Sequence, residues 1–143
     1  VDFVFSKVDW ESAANGDYSK SAANGYSSKS AANGDSSTSA ANGDYSTSAA
    51  NGYSSKSAAN GNSSTSAANG NYSKSEVKGD ESIAAAFGRK VQARASKGSW
   101  IVLSDIDESD HIVDIKAAKV DGEQIKADTW YRLEGGEFAE VGE

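Results

Sequence analysis

The sequence contains one histidine, His111, and two serines, Ser104 and Ser109, lie close to it along the chain. A serine, a histidine and an acid can form a hydrolytic triad, but that chemistry also needs donors for the oxyanion and a substrate pocket. The sequence has no motif that supplies either of them. We therefore expect His111 to be an exposed residue at the start of a strand, and the chain not to be an enzyme.

An acidic cluster precedes the histidine and consists of Asp105, Asp107, Glu108 and Asp110. Carboxylates at alternate positions can bind Ca²⁺, so Asp105, Asp107 and Asp110 are weak metal candidates. The cluster lacks the central glycine and the terminal glutamate of helix-loop-helix calcium sites, and a solvated turn is the favoured interpretation. Because the chain has no cysteine, disulfides and thiolate metal sites are excluded, and no cofactor is predicted.

These residues follow a long array of nine-residue repeats. A glycine recurs at every ninth position from Gly16 to Gly88, and seven units begin with Ser-Ala-Ala-Asn-Gly. A strict short period of this kind is typical of a solenoid. Strand alternation puts the lysine of a unit outside and its serines inside, with Asn-Gly in the turn. The same alternation puts Ile83 and Phe87 outside, where we expect them to mediate self-association.

The predicted fold is all-β, a flattened two-sided β-roll with two nine-residue units, or about 18 residues, per coil. Serine and alanine fill the interior, so the two sheets must lie close together. A triangular solenoid with three units, or about 27 residues, per coil is the alternative. It is suggested by a shift of three units, which aligns Tyr18 with Tyr45 and Tyr72. A triangle needs bulkier interior side chains than these repeats provide.

Three regions are predicted along the chain. Residues 1–11, rich in aromatic side chains, form an N-terminal cap strand that covers the first coil. Residues 12–98 form the solenoid, and residues 99–143 form a small antiparallel β cap. Within that cap we expect strands at 100–103 and 111–120, a turn at Asp121-Gly122, and two strands around Gly135-Gly136.

Charge and hydropathy restrict the partners. The net charge of −7 argues against nucleic acid and against an anionic membrane surface. No apolar run approaches the roughly 18 residues that a membrane-spanning helix needs, so membrane insertion is not expected. The chain starts at Val1 and contains no methionine, which indicates a processed or trimmed product. The compartment is undefined by the sequence, and a cell-surface, secreted or virion location is favoured.

The Ser-x-Ala-x-Gly spacing of Ser12, Ala14 and Gly16, repeated through Gly70, resembles the β-roll heads of trimeric autotransporter adhesins. The repeat of that family is shorter, and its coiled-coil stalk and membrane anchor have no counterpart in these residues. The turns also resemble bacterial ice-nucleation repeats, and the tail is similar to those of uncharacterised bacterial and phage repeat proteins. The adhesin resemblance implies a structural role. The thin interior and the outward Ile83 and Phe87 predict a homo-oligomer, either a dimer or a trimer.

The predicted function is to present a regular polar surface to protein, carbohydrate or another copy of the chain. Tyrosines are frequent contact residues in recognition, and five of them follow the turns. Three outward threonines suit the alternative function, a small-ligand or ice-binding solenoid, although lysines at the same repeat position oppose ice binding. The candidate binding residues are Tyr18, Tyr26, Tyr45, Tyr53, Tyr72, Thr38, Thr47 and Thr65.

Overall fold

A computed structural model describes residues 11–142, and within that range all regular structure is β-strand. The predicted cap strand over 1–11 lies outside the described residues except for Glu11. No helix long and apolar enough to cross a bilayer occurs in 11–142. The strands are β1 (Glu11–Asn15), β2 (Lys20–Asn24), β3 (Lys29–Asn33), β4 (Thr38–Asn42), β5 (Thr47–Asn51), β6 (Lys56–Asn60), β7 (Thr65–Asn69), β8 (Lys74–Val77), β9 (Ile83–Phe87), β10 (Gln92–Arg94), β11 (Trp100–Ile106), β12 (Ile112–Lys119), β13 (Tyr131–Glu134) and β14 (Glu137–Glu140).

Successive strands alternate between two sheets of seven strands each. Sheet A has the order β1-β3-β5-β7-β9-β11-β12, and sheet B has the order β14-β13-β10-β8-β6-β4-β2. Each repeat strand pairs in parallel with the strand two units away, as Glu11 does with Lys29 and Lys20 with Thr38. The two-sided solenoid with two units per coil is therefore confirmed, and the triangular alternative with three units per coil is wrong.

The predicted alternation of side chains is also confirmed. In β2, Ser21 and Ala23 are buried, while Lys20 and Ala22 are exposed. Ile83 and Phe87 point outward, as predicted, and are 42% and 37% exposed. Their part in self-association stays a prediction. In the repeat strands, each sheet therefore has an inner face of small side chains and an outer face of lysine, threonine, alanine and asparagine.

The two inner faces are joined by a continuous chain of serine hydroxyls. Each Oγ donates to the hydroxyl nine residues earlier, and because the units alternate between sheets, every bond crosses the interior. The donor–acceptor distances are 2.8–3.0 Å. The chain comprises Ser12, Ser21, Ser30, Ser39, Ser48, Ser57, Ser66 and Ser75. These hydroxyls satisfy one another, so a polar interior can form without water.

The turns stack as tightly as the strands. A Cβ at Gly52 would lie 2.3 Å from the carbonyl oxygen of Gly34, and its φ of +134° already disfavours any other residue. A second set of serines fixes this contact, since Ser55 Oγ donates to Gly34 O at 3.2 Å. On the outer faces, asparagine amides stack in the same way, with Asn51 Nδ2 donating to Asn33 Oδ1 at 2.8 Å.

The C-terminal part extends both sheets. β11 pairs in parallel with β9, placing Ile101 beside Ala84 and Leu103 beside Ala86, and β12 then returns antiparallel to β11. In sheet B, β13 lies antiparallel to β10, and β14 follows it. The interior here changes from serine to large apolar side chains. This hydrophobic cluster includes Val77, Val91, Ile101, Leu103, Val120, Ile125, Tyr131 and Leu133.

Replacing Gly52 with alanine should destabilise the solenoid, because the new methyl group would overlap the backbone of the neighbouring coil. The matched control is Gly16→Ala, where φ is +116° but no atom lies within 4 Å of the added Cβ. We expect Gly52→Ala to lose about 1–3 kcal/mol more than the control in urea denaturation. Equal losses would show that φ strain, and not contact between coils, fixes these glycines.

Replacing Ser48 with alanine should interrupt the serine chain, since its hydroxyl donates to Ser39 and accepts from Ser57. The two hydroxyls on either side are buried and lose a partner, so we expect a loss of about 1–3 kcal/mol in the same assay. Thr47→Lys is the control, because other repeats already carry lysine at that outward position, and it should change stability by less than about 0.5 kcal/mol. A Ser48→Ala change equally small would contradict a structural role for the chain.

Candidate functional site

The outer face of sheet B contains a shallow groove of about 390 Å³. Because β4, β6, β8 and β10 stack in register, side chains at equivalent repeat positions form two parallel rows across it. Half-buried Ala40 and Ala58 form the floor. We call this feature the Trp130 groove, after the residue that closes one end. Its outward side chains are Thr38, Ala40, Lys56, Ala58, Lys74, Glu76, Arg94 and Trp130.

Two cationic side chains, Arg94 and Lys74, lie against the indole ring of Trp130. The Arg94 guanidinium carbon lies 4.6 Å from the ring centroid, and Lys74 Nζ lies 5.3 Å from it. Both distances are within the range of cation–π attraction. Arg94 also pairs with Glu76, whose carboxylate is only 15% exposed and lies 3.7 Å from Lys78 Nζ. Tryptophan, arginine and lysine are therefore held together at the end of the groove.

The C-terminal hairpin brings Trp130 to this place. The next residue, Tyr131, begins β13 and pairs with Ala93 of β10. Val141 N donates to Trp130 O at 2.8 Å, which ties the tryptophan backbone to the segment after β14. The buried Tyr131 hydroxyl accepts from Lys126 N at 2.9 Å and lies 3.4 Å from Glu140 Oε1. Trp130 is thus fixed from both sides along the chain.

An ion pair completes this anchor. Lys126 Nζ lies 2.8 Å from Glu140 Oε1. The hydrogen bond from Lys126 is the main cause that lowers the pKa of the Glu140 carboxyl, and the same bond raises the pKa of Lys126. Both groups are solvent-exposed, so the pair contributes orientation more than stability.

A second hollow, of about 400 Å³, lies on the other side of Trp130. Lys74, Arg94 and Trp130 line both hollows, so the indole ring forms a ridge between them. Gln92 also lines the second hollow, and its buried Oε1 has no hydrogen-bond partner among the described residues. A buried acceptor of this kind is expected to bind a donor.

The groove is positively charged on a negatively charged protein. Three cations, Lys56, Lys74 and Arg94, face one carboxylate, Glu76, whereas the whole chain has a net charge of −7. An apolar floor, an aromatic ridge and several cations can hold an extended anionic ligand, with the ring against an apolar face and the cations against its acids. Among the described residues that line the groove, the side chains offer binding groups and no activated nucleophile.

The five predicted tyrosines are exposed, at 43–77%, but they do not form one surface. Alternate turns lie at opposite edges of the solenoid, so Tyr26 and Tyr45 share one edge and Tyr18, Tyr53 and Tyr72 share the other. The ring centroids are 5.3 Å apart for Tyr26 and Tyr45, and 5.2 Å apart for Tyr53 and Tyr72. The tyrosines therefore flank the sheets in separate groups.

The three predicted threonines are also divided. Thr38 lies on sheet B between Lys20 and Lys56, while Thr47 and Thr65 are neighbours on sheet A. Neither of the two described sheets brings all three together. The small-ligand or ice-binding alternative stays a prediction.

The loop between β11 and β12 contains His111 and three of the acids, Asp107, Glu108 and Asp110, while Asp105 lies near the end of β11. His111 is exposed, and its Nδ1 lies 3.7 Å from Asp107 Oδ2. Asp107 caps the loop by accepting from Ser109 N, Asp105 accepts from Gly135 N, and Asp110 pairs with Arg89. Within residues 11–142 no group of three or more acids and histidines is arranged to hold a metal ion.

Ser104, the other serine near the histidine, is buried away from it. Its Oγ accepts from Gly88 N at 2.9 Å and donates to Gly88 O at 3.0 Å. In the repeats a glycine N–H donates to a backbone carbonyl of the next coil, as Gly70 N does to Phe87 O, and at Gly88 the Ser104 hydroxyl takes the place of that carbonyl. That the chain is not an enzyme stays a prediction.

The Trp130 groove itself was not predicted from the sequence. Applied to the later units, the strand alternation predicts outward positions for Lys74, Glu76 and Arg94, but nothing in the local pattern indicates that Trp130 returns to cover them. That contact depends on the pairing of β13 with β10. A lone tryptophan between Thr129 and Tyr131 carries no such signal.

No family model matches the chain, and comparison with curated proteins and with solved structures finds no significant relative.

The anchor of Trp130 should loosen in acid. Folding lowers the pKa of the Glu140 carboxyl, so its ionised form stabilises the folded state at any pH above the pKa of the unfolded chain. This stabilisation is lost as the pH falls through the pKa of the folded state. In a Trp10→Phe, Trp100→Phe background, Trp130 emission should therefore shift to the red as the pH drops below 4.5, the ordinary glutamate value. Glu140→Gln should show the shifted emission at neutral pH and lose this acid transition. An unchanged transition in Glu140→Gln would contradict the assignment.

Proposed function

We propose that this chain is a non-enzymatic repeat scaffold that binds an acidic, extended polysaccharide in the Trp130 groove. The observation that carries the proposal is the placement of Trp130 against Lys74 and Arg94 at the end of a flat, regularly spaced face. Aromatic rings stack on the C–H faces of sugars, and cations bind their carboxylates or sulfates. This combination supports the predicted role of surface presentation and names a class of partner.

The repeat geometry favours a polymer over a small molecule. Neighbouring strands in a sheet lie about 4.8 Å apart, so each coil offers its outward side chain at that interval. Lys20, Thr38, Lys56 and Lys74 form one continuous row that leads into the groove. A chain with regularly spaced acids could contact several of these positions at once, and its affinity would accumulate over weak contacts.

Individual groups in the groove have separate tasks in this proposal. Arg94 is held by Glu76, so its planar donors are oriented before the ligand arrives. Lys56 and Lys74, on their flexible stems, follow the acids of the polymer.

Polygalacturonic acid is a suitable probe, with neutral dextran as its control. Trp130→Ala should weaken polygalacturonate binding about tenfold in isothermal titration calorimetry, because it removes both the stacking surface and its cation–π contacts. Trp100→Ala is the matched control, since Trp100 is 44% exposed on the opposite sheet. Its affinity should equal that of the unmodified chain.

A second pair of variants tests the cations. Lys74→Ala should weaken binding several-fold and reduce its salt dependence, whereas Lys29→Ala, the same change on sheet A, should do neither. Equal binding of dextran, or equal effects of Trp130→Ala and Trp100→Ala, would overturn the proposal.

A further inference from the structure

Strand β12 forms the open edge of sheet A. It pairs with β11 on one side, and among residues 11–142 no strand lies on its other side. Val120 N donates to Ser99 O, so alternate residues before Val120 direct their backbone groups toward β11. The backbone groups of Ile115, Ala117 and Lys119 therefore point away from the sheet. Val113 is the extra residue of a β-bulge, since Asp105 pairs with Asp114 and Ile106 with Ile112. The N–H of Ile115 is met by its neighbour's carboxylate, Asp114 Oδ1, at 2.8 Å.

This edge is also apolar. Ile112, Val113 and Ile115 are 64%, 58% and 50% exposed. Trp100 and Ile83, which pair on β11 and β9, are exposed as well, but they lie at the other end of these strands, where Trp100 pairs with Lys119 of β12. Charged residues usually protect natural edge strands, as Glu137 and Glu140 do on β14. Strand β12 also carries charges, at Asp114, Lys116 and Lys119, but its exposed isoleucines and valine leave an apolar surface that favours pairing with another strand.

The charges on β12 are self-complementary about one residue. Asp114 and Lys116 lie on either side of Ile115. If two copies of β12 pair antiparallel with Ile115 opposite itself, Asp114 of each copy lies opposite Lys116 of the other. Centring the pair on Lys116 would instead oppose two lysines, and centring it on Asp114 would oppose two aspartates. Oppositely charged cross-strand pairs stabilise a sheet and like pairs destabilise it, so charge favours the first of these three registers. The contact between Lys116 Nζ and Asp114 Oδ2 within each strand, at 3.8 Å, is then supplemented by contacts between the copies.

We infer that the occupant of this edge is a second copy of the chain, paired through β12 across a two-fold axis at Ile115. In this register, Val113 pairs with Ala117 of the second copy. The Ile115 N–H of each copy then leaves the Asp114 carboxylate and donates to the Ile115 carbonyl of the other copy, and the two seven-stranded A sheets become one continuous sheet.

The dimer would also contain two copies of the Trp130 groove. A two-fold axis perpendicular to the sheet keeps both B sheets on the same side, so both grooves face one ligand surface. This consequence rests on the proposed function, but the dimer itself does not. Two linked sites on one polymer would raise the affinity above that of either groove alone.

Solution mass and charge reversal test the register. Light scattering should give twice the chain mass of 14.8 kDa. Asp114→Lys or Lys116→Asp alone creates two like-charged pairs across the axis and should raise the dimer Kd about tenfold or more. The double variant, Asp114→Lys with Lys116→Asp, restores both pairs and should recover the dimer. Lys20→Asp, at the other end of the stack, is the matched control and should leave the Kd unchanged.

Each other outcome overturns the inference. A monomer at every concentration would mean that the edge is not a self-pairing surface. A trimer, or a mass that grows with concentration as in head-to-tail filaments, would be incompatible with a closed two-fold pair. A double variant that stays monomeric while its thermal melting is unchanged would refute the register. Polygalacturonate binding by a monomeric variant would separate this result from the proposed function.

Discussion

The chain of serine hydroxyls across the interior is the contact on which the rest of the solenoid depends. A hydroxyl can bond across the interior only where the two sheets lie very close, and that spacing excludes larger side chains from the inner faces of the first seven strands. Close sheets in turn require tight turns, which is why successive glycine backbones approach within contact distance. Flat, regular outer faces follow from the same constraint. The polar interior is thus a source of specificity, because any shift by one residue would leave every buried hydroxyl unpaired.

The alternation of side chains was sufficient to predict the repeats, because lysine at one position and serine at the next define the two faces. The tail was harder to predict from the sequence. The coil from Ile83 to Trp100 is one residue shorter than the others, and this break in the period hid the continuation of sheet A into β11. The candidate site was the part of the structure that the sequence predicted least well. A local pattern reports which way a side chain points on its own strand, but Trp130 reaches Arg94 only because β13 folds back onto β10. The division of the tyrosines and threonines was hidden for a related reason, because neighbouring units lie on opposite sheets and similar residues need not share a surface.

The Trp130 groove lies where the interior of the solenoid changes from serine to large apolar side chains. Over the repeats, hydrogen bonds between serines hold the sheets together, and at Val77 and beyond, large apolar side chains take over. This wider, apolar end provides the firm support that a hairpin needs, and the hairpin positions Trp130. In the proposed function, the repetitive part supplies the length and regularity of the binding face, while the irregular part supplies its specificity.

The alternation of units between sheets also determines how such a chain can change its length. Slippage or unequal recombination within the repeats adds or removes whole units, and the tandem blocks 12–38 and 39–65, of three units each, amount to one and a half coils apiece. An even number of added units lengthens the stack and leaves the tail in place. An odd number would exchange the two faces and turn the tail half a revolution relative to the first coil. A pair of units is therefore the smallest change in repeat number that preserves which residues share a face.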